Sequence, residues 1–151
     1  MQEQDIEKLK KSNERTRQLN QVLVRWLLIK QQDTNLATFF LNHNSTNLAI
    51  YGAGKLGELL LSELDKTEKI NIKCFFDKNA EKLITKCDLP VYEPKIIPEI
   101  SDIDMIVVAI ANDSADIVNE LQRIRTDLPV VSINTILDEM ENDIWYEQYI
   151  K

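Results

Sequence analysis

The sequence predicts an α/β fold: a parallel sheet of about five strands in the order 3-2-1-4-5, preceded by a helical extension. Three observations carry this. An apolar run, Leu48-Ala49-Ile50-Tyr51, ends in Gly52-Ala53-Gly54-Lys55-Leu56-Gly57, and a helical pattern begins at once. A second apolar run, Ile70 to Phe76, follows that helix and ends in Asp77, 20 residues beyond Gly57. A third, Asp104 to Ile110, is almost wholly apolar and largely β-branched, as expected of a strand buried on both faces. Strands alternating with helices imply parallel pairing through right-handed crossovers.

The chain has only three glycines, all in this turn, where an average composition would scatter roughly ten. In a strand–turn–helix context each has a job: Gly52 for the sharp turn, Gly54 for close approach of a pyrophosphate, and Gly57 for close packing of the helix on the sheet. The free N–H groups and dipole of the helix start attract an anion. Asp77 stands where a ribose-binding carboxylate is expected, which favours NAD over NADP, although the neighbouring Lys78 weakens that exclusion. Ala109 and Asn112, at the end of the strand predicted beside the first, would let a ligand approach and hydrogen-bond it; helix capping explains Asn112 nearly as well. The candidate binding set is therefore Gly52, Ala53, Gly54, Lys55, Leu56, Gly57, Asp77, Lys78, Ala109 and Asn112. No catalytic constellation and no metal-ligand spacing accompany it: there is one histidine, His43, expected in an exposed loop, and Cys74 and Cys87 are not spaced as a metal or redox motif.

The remaining elements follow in order. Residues 3–31 lack Gly and Pro and carry Leu19, Val22, Leu23, Trp26 and Leu27 at helical spacing. A second seam, Ile6, Leu9, Asn13, Thr16, Asn20, Leu23 and Leu27 at heptad spacing, makes residues 3–31 a candidate homodimer contact; the other reading is a helix whose second half packs on its own domain while its first half projects into solvent. A short helix, Asn35 to Leu41, is anchored by Phe39 and Phe40. After the glycine turn, the helix to about Asp65 is expected to bury Leu56, Leu59, Leu60 and, at its end, Leu64. Leu89-Pro90-Val91-Tyr92 reads as an edge strand, where proline is tolerated. A helix after Asn112-Asp113-Ser114 turns Ile117, Val118, Leu121 and Ile124 inward. Val130 to Ile133 is the last strand, and Thr135 to Met140 a closing helical turn. The expected organisation is an extension over 1–46, a nucleotide-binding domain over 47–140, and an aromatic tail over 141–151 whose rings dock on the body or a partner subunit.

With 25 acidic against 18 basic residues the net charge is −7, which argues against nucleic-acid binding. No apolar run is long enough to span a bilayer, and the polar start is unlike a signal peptide, so a cytoplasmic protein without membrane insertion is expected.

At Ile50 to Gly57, with Cys74-Phe75-Phe76-Asp77-Lys78-Asn79, Leu89-Pro90-Val91-Tyr92 and Ile106 to Ile110, the chain resembles the Rossmann-like nucleotide-binding domains of bacterial surface-polysaccharide proteins. These include the N-terminal domain of membrane-type nucleotide-sugar 4,6-dehydratases and the sugar-nucleotide-binding domain of some sugar N-acetyltransferases. The resemblance covers roughly residues 47–136. It implies binding of NAD or a UDP-sugar through Gly52, Gly54, Gly57 and Asp77, in a polysaccharide pathway. Neither a dehydratase nor a β-helix acetyltransferase domain is expected within residues 1–151. The expectation is thus a small-molecule nucleotide-binding module serving a partner enzyme of polysaccharide assembly. The alternatives are a small NAD(P)-dependent oxidoreductase or epimerase-like enzyme on a sugar nucleotide, and a structural domain with an empty turn.

Overall fold

A computed structural model describes residues 2–150. The chain runs α1 (Glu3–Lys30), α2 (Ala37–Asn42), β1 (Asn47–Tyr51), α3 (Lys55–Leu64), β2 (Asn71–Phe76), α4 (Ala80–Leu83), β3 (Thr85–Lys86), β4 (Leu89–Tyr92), a 3-10 turn (Pro94–Glu99), β5 (Met105–Val108), α5 (Ser114–Ile124), β6 (Val130–Ser132) and α6 (Ile133–Tyr149). The sheet order is β3-β4-β2-β1-β5-β6, parallel throughout except for the β3–β4 pair. Setting aside β3, this is the 3-2-1-4-5 order that the sequence predicts, and the fold is Rossmann-like.

Side chains alternate across the strands and so build two cores. Leu48, Ile50, Phe75 and Val107 face one side, where Val22, Trp26 and Ile29 of α1, Leu60 of α3 and Ile136 of α6 cover them. Ala49, Tyr51, Cys74, Phe76, Ile106 and Val108 face the other, covered by Ile97 of the 3-10 turn and Leu121 of α5. Burial pushes the Cys74 thiol up to about 11, so it serves as a small apolar side chain at neutral pH.

The helical extension is not a separate appendage over its whole length. The second half of α1 belongs to the core, while Ile6 and Leu9 in its first half remain exposed. Buried Glu63 of α3 ties this layer down. It accepts the Trp26 indole N–H at 3.0 Å, the Lys30 ammonium at 2.6 Å and the Leu36 backbone N–H at 2.9 Å.

Several sequence expectations change. Leu59 lies on the outer side of α3 and is 40% exposed, because the buried positions are Leu56, Leu60 and Leu64, spaced by four. Ile124 is likewise 40% exposed at the end of α5. The short helix begins at Ala37, two residues late, because the Leu36 N–H is already committed to Glu63 and the Asn35 side chain accepts the Ala37 N–H. His43 is half-exposed, as a loop histidine would be, but it is placed: its ring lies 4.3 Å from that of Phe39, and Nε2 is 2.9 Å from Glu139.

The closing helical turn and aromatic tail form one continuous helix, α6, capped by the Ser132 hydroxyl accepting the Thr135 N–H. No Gly or Pro interrupts it. Its end rings do not dock on the body: Trp145, Tyr146 and Tyr149 are all more than half exposed, and Trp145 pairs with Tyr149 at 5.7 Å. Strand β3 adds a sixth strand to the five that the sequence predicts, through a hairpin turn that lacks glycine. Cys87 and Asp88 take φ of 52° and 64°, the two left-handed positions of a tight two-residue hairpin.

Candidate functional site: the crevice above the glycine turn

Strand β1 lies between β2 and β5, so the chain leaves it in one direction through α3 and later returns on its other side. Ligands of open parallel sheets bind beyond the carboxyl ends of the strands at such a reversal. The residues after β1 and β5 meet there: the Gly52 N–H donates to the Phe76 carbonyl at 2.8 Å, and the Ala109 N–H donates to the Tyr51 carbonyl at 2.9 Å.

The three glycines play three different parts. Gly52 has φ of +108°, and a Cβ there would stand 3.1 Å from the Ala109 carbonyl oxygen. Gly57 lies directly on the turn: a Cβ would fall 2.1 Å from the Gly52 carbonyl oxygen and 3.2 Å from the Phe75 ring. Around Gly54 nothing lies within 4 Å of the Cβ position. Two glycines therefore serve packing inside the protein, and the third faces free space.

Gly54 is also the N-cap of α3, with no side chain capping it. The first intrahelical bond is Glu58 N–H to the Gly54 carbonyl at 3.0 Å, which leaves the N–H groups of Lys55, Leu56 and Gly57 without helical partners. With the helix dipole they make a donor cluster suited to an anion. The Lys55 ammonium is three-quarters exposed and only loosely paired with Glu58, at 3.8 Å.

Asp77 follows β2. One carboxylate oxygen accepts the Ala53 N–H of the turn and the other the Asn79 N–H, both at 2.8 Å. This is partly the capping role that any strand-end acid could play. The bond to Ala53 adds something further, since it fixes the carboxylate against the glycine turn, and each oxygen keeps a lone pair for a hydroxyl. Burial, and then the negative charges of Glu120 and Asp77, push the Tyr51 phenol above its ordinary range, so it stays neutral at physiological pH.

Gly52, Gly54, Lys55, Leu56, Asp77, Ala109 and Asn112 line one groove of about 380 Å³, within the range of small-molecule sites. Ala53 stands behind it through its bond to Asp77, and Gly57 supports it from beneath. Lys78 is exposed and not part of the lining. Ile110 and Ala111 extend the wall after β5. Arg15, Thr16 and Leu19 of α1 form a wall that the sequence reading left out of the site. A signal for them existed. Positions 15, 19, 22, 26 and 29 form one helical stripe, whose last three members are buried, so Arg15 occupies the core-facing side where the body opens into the crevice.

Among the described residues no group of three or more His, Cys, Asp or Glu side chains is arranged to hold a metal ion. No helix among them is long and apolar enough to cross a membrane.

No protein-family model matches this chain, and no curated protein is similar to it in sequence. Solved structures of similar shape include UDP-D-quinovosamine 4-dehydrogenase from Vibrio fischeri, at 21% identity over 58% of this chain and 77% of that one, with a TM-score of 0.49. They also include RSP, a Rex-family repressor, in complex with β-NADH, at 18% identity, 69% and 62% coverage and a TM-score of 0.46. A third is an NAD-binding protein from Listeria innocua, at 16% identity, 70% and 41% coverage and a TM-score of 0.48. This chain spans less than two thirds of the second and third.

Proposed function

We propose that this protein is a nucleotide-binding module whose ligand seats its diphosphate on the amides of Lys55, Leu56 and Gly57 and its ribose on Asp77. The observation that carries this reading is the contrast among the glycines. Gly52 and Gly57 are required by the protein's own packing, whereas Gly54 meets no protein atom. Packing does not require a glycine at position 54; an N-cap accepts one, and the open space beside it admits the approach of a ligand to the backbone.

NAD is the ligand class that the site favours. The two oxygens of Asp77 suit a vicinal diol, and their charge opposes a 2′-phosphate. What NAD supplies when bound is a hydride-accepting nicotinamide; this chain's residues would bind and orient it. The UDP-sugar alternative, and a place beside a partner enzyme in surface-polysaccharide or nucleotide-sugar metabolism, rest on the motif resemblance around Ile50–Gly57 and Cys74–Asn79.

The test is the melting temperature of the full chain with NAD⁺, NADH, NADP⁺ and UDP-sugars. A ligand at a hundredfold excess over its Kd stabilises by about 2.7 kcal/mol, or roughly 5–10 °C for a chain of this size. NAD(H) is expected to give that shift, NADP⁺ less, and Asp77→Ala to weaken NAD(H) binding and remove the discrimination. If no nucleotide shifts the transition, the reading is wrong.

A further inference from the structure

We infer that Arg15, carried by the N-terminal helix, is a phosphate-binding residue of this crevice, so that α1 is a wall of the nucleotide site. The inference rests on the nucleotide reading above and extends it to a residue outside the glycine motif.

Placement is the first support. Val22, Trp26 and Ile29 are buried to 5% exposure or less, which fixes the rotation of α1 about its axis. Leu19 continues that stripe and packs against the same core while lining the groove. Arg15 lies one turn before Leu19, at the spacing that puts two side chains on one helical face. It lines the groove opposite Gly54 and Lys55 in chain origin but within the same cavity.

Pairing is the second. The other two arginines of α1 are satisfied internally: Arg17 binds Glu14, and Arg25 binds both Asp138 and Glu141. Arg15 has no ionic or hydrogen-bonding partner among the described residues. Arg15 is exposed at the mouth of a groove that Lys55 and Asp77 also line, with its guanidinium free to meet a ligand there. A guanidinium offers its N–H donors as a planar fork, which matches two non-bridging phosphate oxygens. Arg15 and Lys55 line the same groove as the start of α3, so cationic and amide donors from two separate parts of the chain are available to one anion there. A diphosphate spanning the groove between Gly54 and α1 is the ligand chemistry that uses all three.

The experiment titrates the full chain with NADH, ADP and adenosine, comparing wild type with Arg15→Ala, Arg15→Lys and Lys10→Ala, the last an exposed cation elsewhere on α1. Losing a hydrogen-bonded charge contact weakens binding by about tenfold. Arg15→Ala is expected to lose that factor for NADH and ADP, to leave adenosine binding unchanged, and to melt like wild type without ligand. Arg15→Lys keeps the charge without the fork and should fall between. Lys10→Ala should bind like wild type. Wild-type binding of NADH or ADP that Arg15→Ala leaves intact overturns the Arg15 assignment alone. Failure of the wild type to bind either phosphate-bearing probe overturns the nucleotide reading, and the Arg15 assignment with it. Equal losses for adenosine and ADP also overturn the assignment, since a phosphate contact cannot act on a nucleoside.

Discussion

Gly57→Ala should destabilise the protein by about 3 kcal/mol, at the upper end of what overpacking costs, while Gly54→Ala should leave stability within about 0.5 kcal/mol of wild type. The difference follows from what each new methyl group meets. At Gly57 it would fall 2.1 Å from the carbonyl oxygen of Gly52, and neither partner is a flexible side chain that can swing aside. Relief requires α3 to lift from the end of β1, which also loosens Leu56 and Leu60 from the core. At Gly54 the backbone is extended, with φ of −93°, and the methyl enters open space. The roles reverse for binding. Gly54→Ala places its methyl where the diphosphate approaches and should weaken nucleotide affinity in a protein that otherwise folds normally. Urea denaturation of both variants measures the stabilities. Equal, small effects on stability would contradict the packing account of Gly57.

Glu63→Ala is expected to cost about 3 kcal/mol, through a different mechanism. Its carboxylate is 6% exposed and is the acceptor for the Trp26 indole and the Leu36 amide. Truncation leaves both buried donors without a partner, at about 1–3 kcal/mol each. The Lys30 ammonium is nearly half exposed and can return to water, so its share is small. Glu63→Gln retains an acceptor oxygen and should lose less. Because Glu63 joins α1, the start of α2 and α3, Glu63→Ala should also raise hydrogen exchange in the second half of α1. A variant as stable as wild type would show that these helices are held by apolar packing alone.

The parts of the fold governed by short-range rules were legible in the sequence. A glycine turn between an apolar run and a helical pattern, followed by an acid 20 residues on, defines one local geometry, and β1, α3, β2 and Asp77 lie where it requires. The apolar run of β5 was equally plain. Elements with mixed signals were harder. The hairpin at Cys87 and Asp88 adopts left-handed conformations without glycine, so Asp88 alone marks it as a turn. The length of α6 was obscured because its last two turns are polar and aromatic with no buried stripe, although no residue there breaks a helix. The outward turn of Leu59 could not be told from composition, since five leucines crowd α3 and only tertiary contacts choose among them. For the groove wall from α1, the stripe through positions 15, 19, 22, 26 and 29 marks the inward face, but local rules do not say which part of the sheet that face covers. A helix about 42 Å long can pass over any part of the sheet, and only its packing on α6 and on Glu63 decides that Arg15 and Thr16 reach the crevice.

The most direct test of nucleotide binding at the glycine turn is a two-dimensional amide spectrum of the ¹⁵N-labelled chain, recorded during titration with ADP. All three glycines sit in the turn, so the glycine amides report on the site with no others to confuse them. The amides of Gly54, Lys55, Leu56 and Gly57 should move together and saturably, with smaller shifts at Asp77 and from Ala109 to Asn112. An ADP titration that leaves the three glycine amides in place, or that moves only residues elsewhere on the surface, would contradict the account.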